Sequence, residues 1–327
     1  AAATATTAPP KATPAATPSP KPAALKKLRI ITSYSSPKNI APYVAQKEGY
    51  FKEEGLDVEF TKVPGTAGLA ALAAGEVLLS DGSSSSINAA FEGAPFKVVY
   101  PSGNISQWIW ARDPIKKIED LVGKKFACSS PNDSMCLAAK SVLKKKGLAN
   151  PEKDITYIGI GSTSDRHAAL KSGAVDAGYQ GGEHWQLVPL EGKGYTMLVA
   201  MQDVITMLGG GYATSNRVIQ TDRDTLKATL RAMVKGSRLF FANKEKGLAY
   251  LKEWNPGMAE YNLQYYEYET TKGLFKDGLM PVEAQQQTID IQKQSLGFTG
   301  SFTVQQGFDM SFLQEIVKEL DAKGWKP

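Results

Sequence analysis

The side chains of this chain best suited to chemistry are short hydroxyls and amides set in loops of Ser, Thr, Gly and Asn. Ser83-Ser84-Ser85-Ser86 is the densest run; Tyr34, Ser35 and Asn39 share a second stretch, Thr66 follows Pro64-Gly65, and Asn104 follows Ser102-Gly103. Farther along, 129–134 ends on Ser134, 161–164 reads Gly-Ser-Thr-Ser, and Tyr179, Gln180 and Glu183 mark a last stretch. Backbone N–H groups beside hydroxyls at a helix start suit a carboxylate, a sulfonate or a ring carbonyl. The same residues also serve as ordinary helix caps, and Asp133 competes with Ser134 for that role.

Aromatic residues fall near the same level: Tyr34, Trp108, Tyr179 and Trp185. Aromatic walls with a few directed polar groups are the usual design of a pocket for an organic molecule. Trp108, Trp110 and Arg112 alternate, so they share one face of an extended strand; that face meets either ligand or core. Glu183 either accepts from a ligand N–H or sits as a solvated charge at a helix start. Arg166 either pairs an anionic ligand or makes a surface salt bridge. The only two histidines, His167 and His184, lack obvious carboxylate partners and read as structural. No G-x-S-x-G, H-E-x-x-H or phosphate-loop pattern is present, and Cys128 and Cys136 fit no common zinc spacing. No cofactor and no metal are expected.

These groups need elements to position them, and the chain states one such unit twice. Residues 68–77 read GLAALAAGEV and residues 166–175 read RHAALKSGAV. Both run Ala-Ala-Leu, two residues, Gly, one residue, Val, after a Gly/Thr/Ser loop and before a loop of small residues. The pattern predicts a short helix, a Gly stop and a strand in each copy, and two similar lobes facing each other across a cleft. Around the copies, strands are expected at 28–32, 56–60, 77–80, 97–100, 125–128, 155–158, 175–179 and 195–200. Helices between them imply mostly parallel sheets. In such sheets ligands bind at the carboxyl ends of strands, which is where the polar loops fall. Gly209-Gly210-Gly211 precedes a second expected crossing between lobes. From Asp222 onward the spacing of Leu226, Leu230, Met233 and Val234 is helical, with further helices near 244–254, 260–275, 282–295 and 309–323.

Composition narrows the function classes. The 327 residues suffice for two domains, and no apolar stretch approaches the ~18–20 residues that span a bilayer. The formal charge is +5, but Lys11, Lys21, Lys26 and Lys27 lie in the first 27 residues, which carry no acid. The body is therefore close to neutral, and nucleic-acid binding is not expected. Residues 1–27 are rich in Ala, Thr and Pro and cannot bury enough apolar surface to order themselves. They read as a tail or tether of an exported or lipid-anchored protein, or as a disordered leader. In an oxidising compartment Cys128 and Cys136 either bond across their short loop or remain free.

At 40–60 the sequence IAPYVAQKEGYFKEEGLDVEF resembles the opening of periplasmic solute-binding proteins of ABC importers, the sulfonate, nitrate and pyrimidine-precursor group. The matching positions are Gly49-Tyr50-Phe51, Glu53-Glu54, Gly55-Leu56 and Val58 to Phe60. IEDLVGKKF at 118–126 and Val175-Asp176-Ala177 resemble later elements of the same group; Leu78 departs from it where an Asp often stands. The resemblance implies an α/β fold of the type II periplasmic binding protein: two doubly wound lobes joined by two crossing segments, with an extra C-terminal helical region packed on lobe 1. The expected divisions are the tail at 1–27, lobe 1 at 28–112 plus 215–327, and lobe 2 at 113–214. It further implies a monomeric, non-enzymatic receptor at the outer face of the cytoplasmic membrane, working with a membrane permease. The residues around the cleft favour a small aromatic or heteroaromatic solute, with or without an anionic group, held by Tyr34, Ser35, Asn39, Thr66, Ser83, Ser84, Asn104, Trp108, Ser134, Tyr179, Gln180 and Glu183. The alternatives are an enzyme on the same fold, like the pyrimidine-precursor synthases, and a sensor domain.

Overall fold

The structure is a computed structural model that describes residues 24–327 apart from Tyr34, Pro64 and Glu183, and without the side chains of Gly65, Thr66, Met258 and Ala259. Its ten strands are β1 (Lys26–Ile31), β2 (Leu56–Thr61), β3 (Leu79–Ser80), β4 (Phe96–Asn104), β5 (Trp108–Arg112), β6 (Lys125–Cys128), β7 (Thr156–Gly159), β8 (Ala177–Gln180), β9 (Tyr195–Ala200) and β10 (Leu208–Ser215). They form two five-stranded sheets, ordered β2-β1-β3-β10-β4 and β7-β6-β8-β5-β9. Parallel neighbours need crossover helices. In the first sheet these are Ile40–Lys47 and Gly65–Ala74, and in the second Ser134–Lys145 and Thr163–Ser172; Ser83–Phe91 leads from β3 to β4 past the inserted β10.

Each sheet has one strand running against its neighbours on both sides, and that strand arrives from the other lobe. β5 follows β4 after only three residues, yet pairs antiparallel with β8 and β9. β10 follows β9 and pairs antiparallel with β3 and β4. The divisions expected after residues 112 and 214 therefore move earlier: 108–112 belongs to the second sheet and 208–215 to the first. The expected tail is also too long at its end, because Lys26 and Lys27 pair with Leu56 and Asp57 as the start of β1.

The repeated sequence occupies equivalent places. Its first copy is the helix Gly65–Ala74 leading to β3, its second the helix Thr163–Ser172 leading to β8, and β3 and β8 are both third in their sheets. The shared residues are shared for packing: Leu72, Val77, Leu170 and Val175 are all buried. Gly75 and Gly173 leave their helices at φ +74° and +84°, the left-handed turn in which a Cβ is penalised.

The long helix Arg223–Ala242 and the helix Ser311–Ala322 pack against the first sheet, with Leu226, Leu230, Met233 and Phe312 in one apolar cluster with Tyr100 and Tyr212. The C-terminal region also reaches the other lobe. Ile291 of the helix Val282–Leu296 joins the second lobe's core, and Ser295 Oγ donates to the Asn132 carbonyl at 2.8 Å. Cys128, at the end of β6, is disulfide-bonded to Cys136 in the following helix. Among the described residues no helix is long and apolar enough to cross a membrane.

Candidate ligand-binding site

The first lobe's wall is organised by a residue outside the expected set. Asp81, at the end of β3, accepts from Ser33 N and Oγ at 2.7 Å each, from Asn39 Nδ2 at 3.0 Å and from Thr32 Oγ1 at 3.4 Å. A buried carboxylate needs such donors in place of water. Asn39 thus donates inside the wall and makes no side-chain cap to the helix Ile40–Lys47, which corrects the cap role expected of it. Ser35 Oγ accepts from Lys62 Nζ at 2.9 Å. Ser83 is buried at the start of its helix and its carbonyl accepts from Ser86 Oγ, whereas Ser84 is exposed. Tyr34, Glu183 and the side chain of Thr66 lie outside the described residues.

Beside this wall Lys38 is buried, its stem against Gly210 of β10. Its Nζ donates to Glu269 Oε2 at 2.7 Å and to the Gly273 carbonyl at 2.8 Å. Burial lowers the Lys38 pKa and the Glu269 carboxylate opposes that shift. Glu269 begins a π-helical turn, Glu269–Gly273, so the pair fastens the cleft floor to the C-terminal region.

The Asn104 side chain is engaged by backbone groups. Its Oδ1 accepts from Ile105 N at 2.8 Å and Met207 N at 3.0 Å, and its Nδ2 points at the Gln202 and Ile205 carbonyls at 3.4 and 3.5 Å. Both strands that leave for the opposite lobe begin here, so one side chain laces the two crossings together.

In the second lobe Asp133 takes the cap of the helix Ser134–Lys145, accepting from Met135 N and Cys136 N at 2.8 and 2.9 Å. Ser134 is left at the first helical position without a cap bond. Tyr179 is a core residue: its ring packs in the second lobe's apolar cluster and its hydroxyl meets Ser129 N and Oγ at 3.0 and 2.6 Å. Of the two residues expected at the ligand, Ser134 thus has its cap role taken by Asp133, and the Tyr179 hydroxyl is engaged by Ser129. Gln180 differs. It is 0% exposed, and neither amide atom has a hydrogen-bond partner among the described residues. Gln180 pairs directly opposite Trp108, so both side chains emerge on one face of the sheet.

Trp108 is the centre of an aromatic shelf. Its ring lies flat on His184 at 3.9 Å and 7°, with Trp185 at 5.7 Å and Tyr268 at 4.9 Å. Trp110 Nε1 donates to His184 Nδ1 at 3.1 Å, which places the imidazole proton on Nε2. Burial pushes the His184 pKa down to about 3, so the ring is neutral at physiological pH. Trp185 Nε1 is buried with no partner among the described residues. A cleft of about 450 Å³ opens between Trp108, Trp185, Ala200, Gln202, Gln264 and Tyr268. A larger groove of about 720 Å³, between Ser141 and the helix Val282–Leu296, contains none of the strand-end residues and has no aromatic wall. Tyr268 carried no sequence signal and His184 read only as structural, because each becomes part of the shelf through contacts distant in the chain.

Comparison with known proteins agrees with this architecture. Residues 36–246 match the model of the family described as "NMT1/THI5 like". A riboflavin-binding protein, RibY of Chloroflexus aurantiacus, is 27% identical over 257 residues, covering 74% of this chain and 72% of RibY. The periplasmic sulfonate-binding protein SsuA of Methylobacillus flagellatus KT superposes with a TM-score of 0.74 at 19% identity, over 93% of this chain and 97% of SsuA. The desulfurization enzyme DSZB shares the fold as well, with a TM-score of 0.62 at 12% identity, over 90% of this chain and 99% of the enzyme. With its two exchanged-strand sheets, the fold is that of the type II periplasmic binding proteins, and the chain belongs to the NMT1/THI5-like family.

Proposed function

We propose that this protein is the extracytoplasmic solute-binding receptor of an ABC importer and that its solute is a flat heteroaromatic molecule of the riboflavin kind. The observation that carries this reading is the aromatic shelf beside an unspent carboxamide: Trp108 stacked on His184, with Gln180 emerging on the same face. A flavin-like ring offers a planar face for stacking and an edge of alternating C=O and N–H groups. A glutamine amide, with one acceptor and two donors, complements such an edge. The name of the relative RibY supports the same solute class. Capture works by closure: the solute contacts both lobes, the crossings at 105–107 and 201–207 bend, and the closed form gains population. A membrane permease then reads the closed form of the monomer.

An enzyme on this fold is the second reading, raised by the likeness to DSZB. Against it, Cys128 and Cys136 are bonded to each other, and His184 Nδ1 already accepts from Trp110. Titration with riboflavin tests both readings. The receptor reading expects saturable quenching of flavin fluorescence, lost in Trp108→Ala and weakened in Gln180→Leu, with the flavin recovered intact. Stabilisation by ethanesulfonate or nitrate alone would overturn the heteroaromatic solute, and chemical conversion of the bound flavin would overturn the receptor.

A further inference from the structure

Arg166 lies in the first turn of the ten-residue helix Thr163–Ser172 and is 4% exposed. Nη1 donates to the Ile160 and Gly161 carbonyls at 3.2 and 3.0 Å, and Nη2 to Thr163 Oγ1 at 3.2 Å. The guanidinium sits 4.7 Å over the Tyr179 ring. Among the described residues Nε has no partner, and the acceptors of this side chain are two carbonyls and a hydroxyl, none a carboxylate. The nearby acids are engaged elsewhere: Asp165 with Ser162 Oγ at 2.6 Å, and Asp133 with Ser129 Oγ at 2.8 Å and its own helix start. Arg238 shows what the Nε–Nη2 edge of a guanidinium can do in this same chain. Its Nε and Nη2 grip Asp277 at 2.7 and 3.2 Å. A desolvated guanidinium without a countercharge is costly, and neutral carbonyls offset that only in part.

The repeat sharpens the point. Arg166 stands where the first copy has Gly68, which abuts Ser80 with no room for a side chain. Tyr179 stands where the first copy has Asp81. At equivalent strand ends one lobe therefore buries a carboxylate and the other a guanidinium. Thr163, whose hydroxyl Arg166 Nη2 bonds, also faces Gly181: its Cγ2 lies 3.8 Å from where a Cβ there would stand, with Gln107 Nε2 and Oε1 at 3.5 and 3.8 Å.

We propose that Arg166 is the oxyanion subsite of the second lobe: the solute carries a phosphate, sulfonate or carboxylate group that the Nε–Nη2 edge binds side-on, as Arg238 binds Asp277. This rests on the receptor reading for the ring but not for the anion. The test compares riboflavin with its phosphate ester, FMN, on the full chain and on Arg166→Gln. Wild type should bind FMN about tenfold tighter than riboflavin, a gap that narrows in ~0.5 M salt and vanishes in Arg166→Gln. Equal or weaker binding of FMN by wild type, or an unchanged gap in the variant, overturns the subsite. Should Arg166→Gln fail to fold, Arg166→Lys keeps the charge without the fork; an undiminished FMN preference there is equally fatal. If neither flavin binds, the ring reading fails, and inorganic phosphate and methanesulfonate decide alone. A rise in melting temperature of wild type, absent in the variant, upholds the oxyanion subsite, and no rise in wild type ends it.

Discussion

Arg112 lies across Gly173 so closely that a side chain at the glycine would overlap its guanidinium. Arg217 lies across Gly75 in the same way. Arg112 ends β5 and Arg217 lies two residues past the end of β10, the two strands exchanged between lobes. Each exchanged strand is thus seated on the helix stop of the repeat it joins.

Gly173→Ala should cost about 1–2 kcal/mol, most of it from forcing an L side chain into the left-handed region. The flexible arginine can swing aside, so Arg112→Ala in the same background should recover little. Gly173→Asn should cost less than Gly173→Ala, since Asn tolerates that backbone. Urea unfolding of the three variants measures this, and full recovery by Arg112→Ala would assign the cost to crowding instead.

Asn104→Ala should cost about 1–3 kcal/mol, because it strands the buried Met207 N–H, while the Ile105 N–H keeps the Met207 carbonyl at 3.2 Å. Asn104→Asp keeps the acceptor but turns a second oxygen toward the Gln202 and Ile205 carbonyls, so it should not rescue. If Asn104 laces the crossings, solution scattering should show a broader range of lobe separations in the alanine variant. An unchanged profile with unchanged stability would remove that role.

Lys38→Met should destabilise by about 3–5 kcal/mol, since it leaves Glu269, 2% exposed, as an unpaired buried charge. Lys38→Met with Glu269→Leu should return much of that loss, because an apolar pair of similar volume needs no desolvation. A double variant no better than the single would place the cost in the lost Lys38–Gly273 bond.

The parts of this fold that were legible in the sequence are those set by local period. Leu72 and Leu170, Val77 and Val175 recur because each must face a core at the same step of a helix–strand unit, and Gly75 and Gly173 recur because each unit must turn. The strand exchange was hidden because the alternation of Trp108–Arg112 marks a strand without naming its partners, which come nearly seventy residues or more later in the chain. Asn39, Asn104 and Tyr179 show the same limit at the site. A polar residue at a strand end has one sequence whether it meets a ligand, a backbone or a carboxylate. Asp81 was passed over within its own loop because its donors, Thr32, Ser33 and Asn39, gather only once β1 and β3 are neighbours.

His184 supplies a pH dependence whose sign follows from its burial. In the folded chain its pKa is pushed down to about 3, whereas an unfolded histidine titrates near ~6.5. Between those values the unfolded state binds the additional proton, so stability falls as pH drops through ~6.5 toward 3 and is fully present above that window. The slope from this one group approaches about 1.4 kcal/mol per pH unit. Carboxylates contribute their own slopes, so the variant His184→Gln, which keeps an acceptor for Trp110 Nε1, isolates the histidine. Denaturant melts of both proteins between pH 7 and pH 4 should show the wild-type advantage shrinking steadily with acidity. A constant difference would mean that His184 reaches a proton without unfolding. Solute binding measured over the milder part of the window should stay flat in wild type, because the imidazole stacked on Trp108 remains neutral until the fold itself gives way.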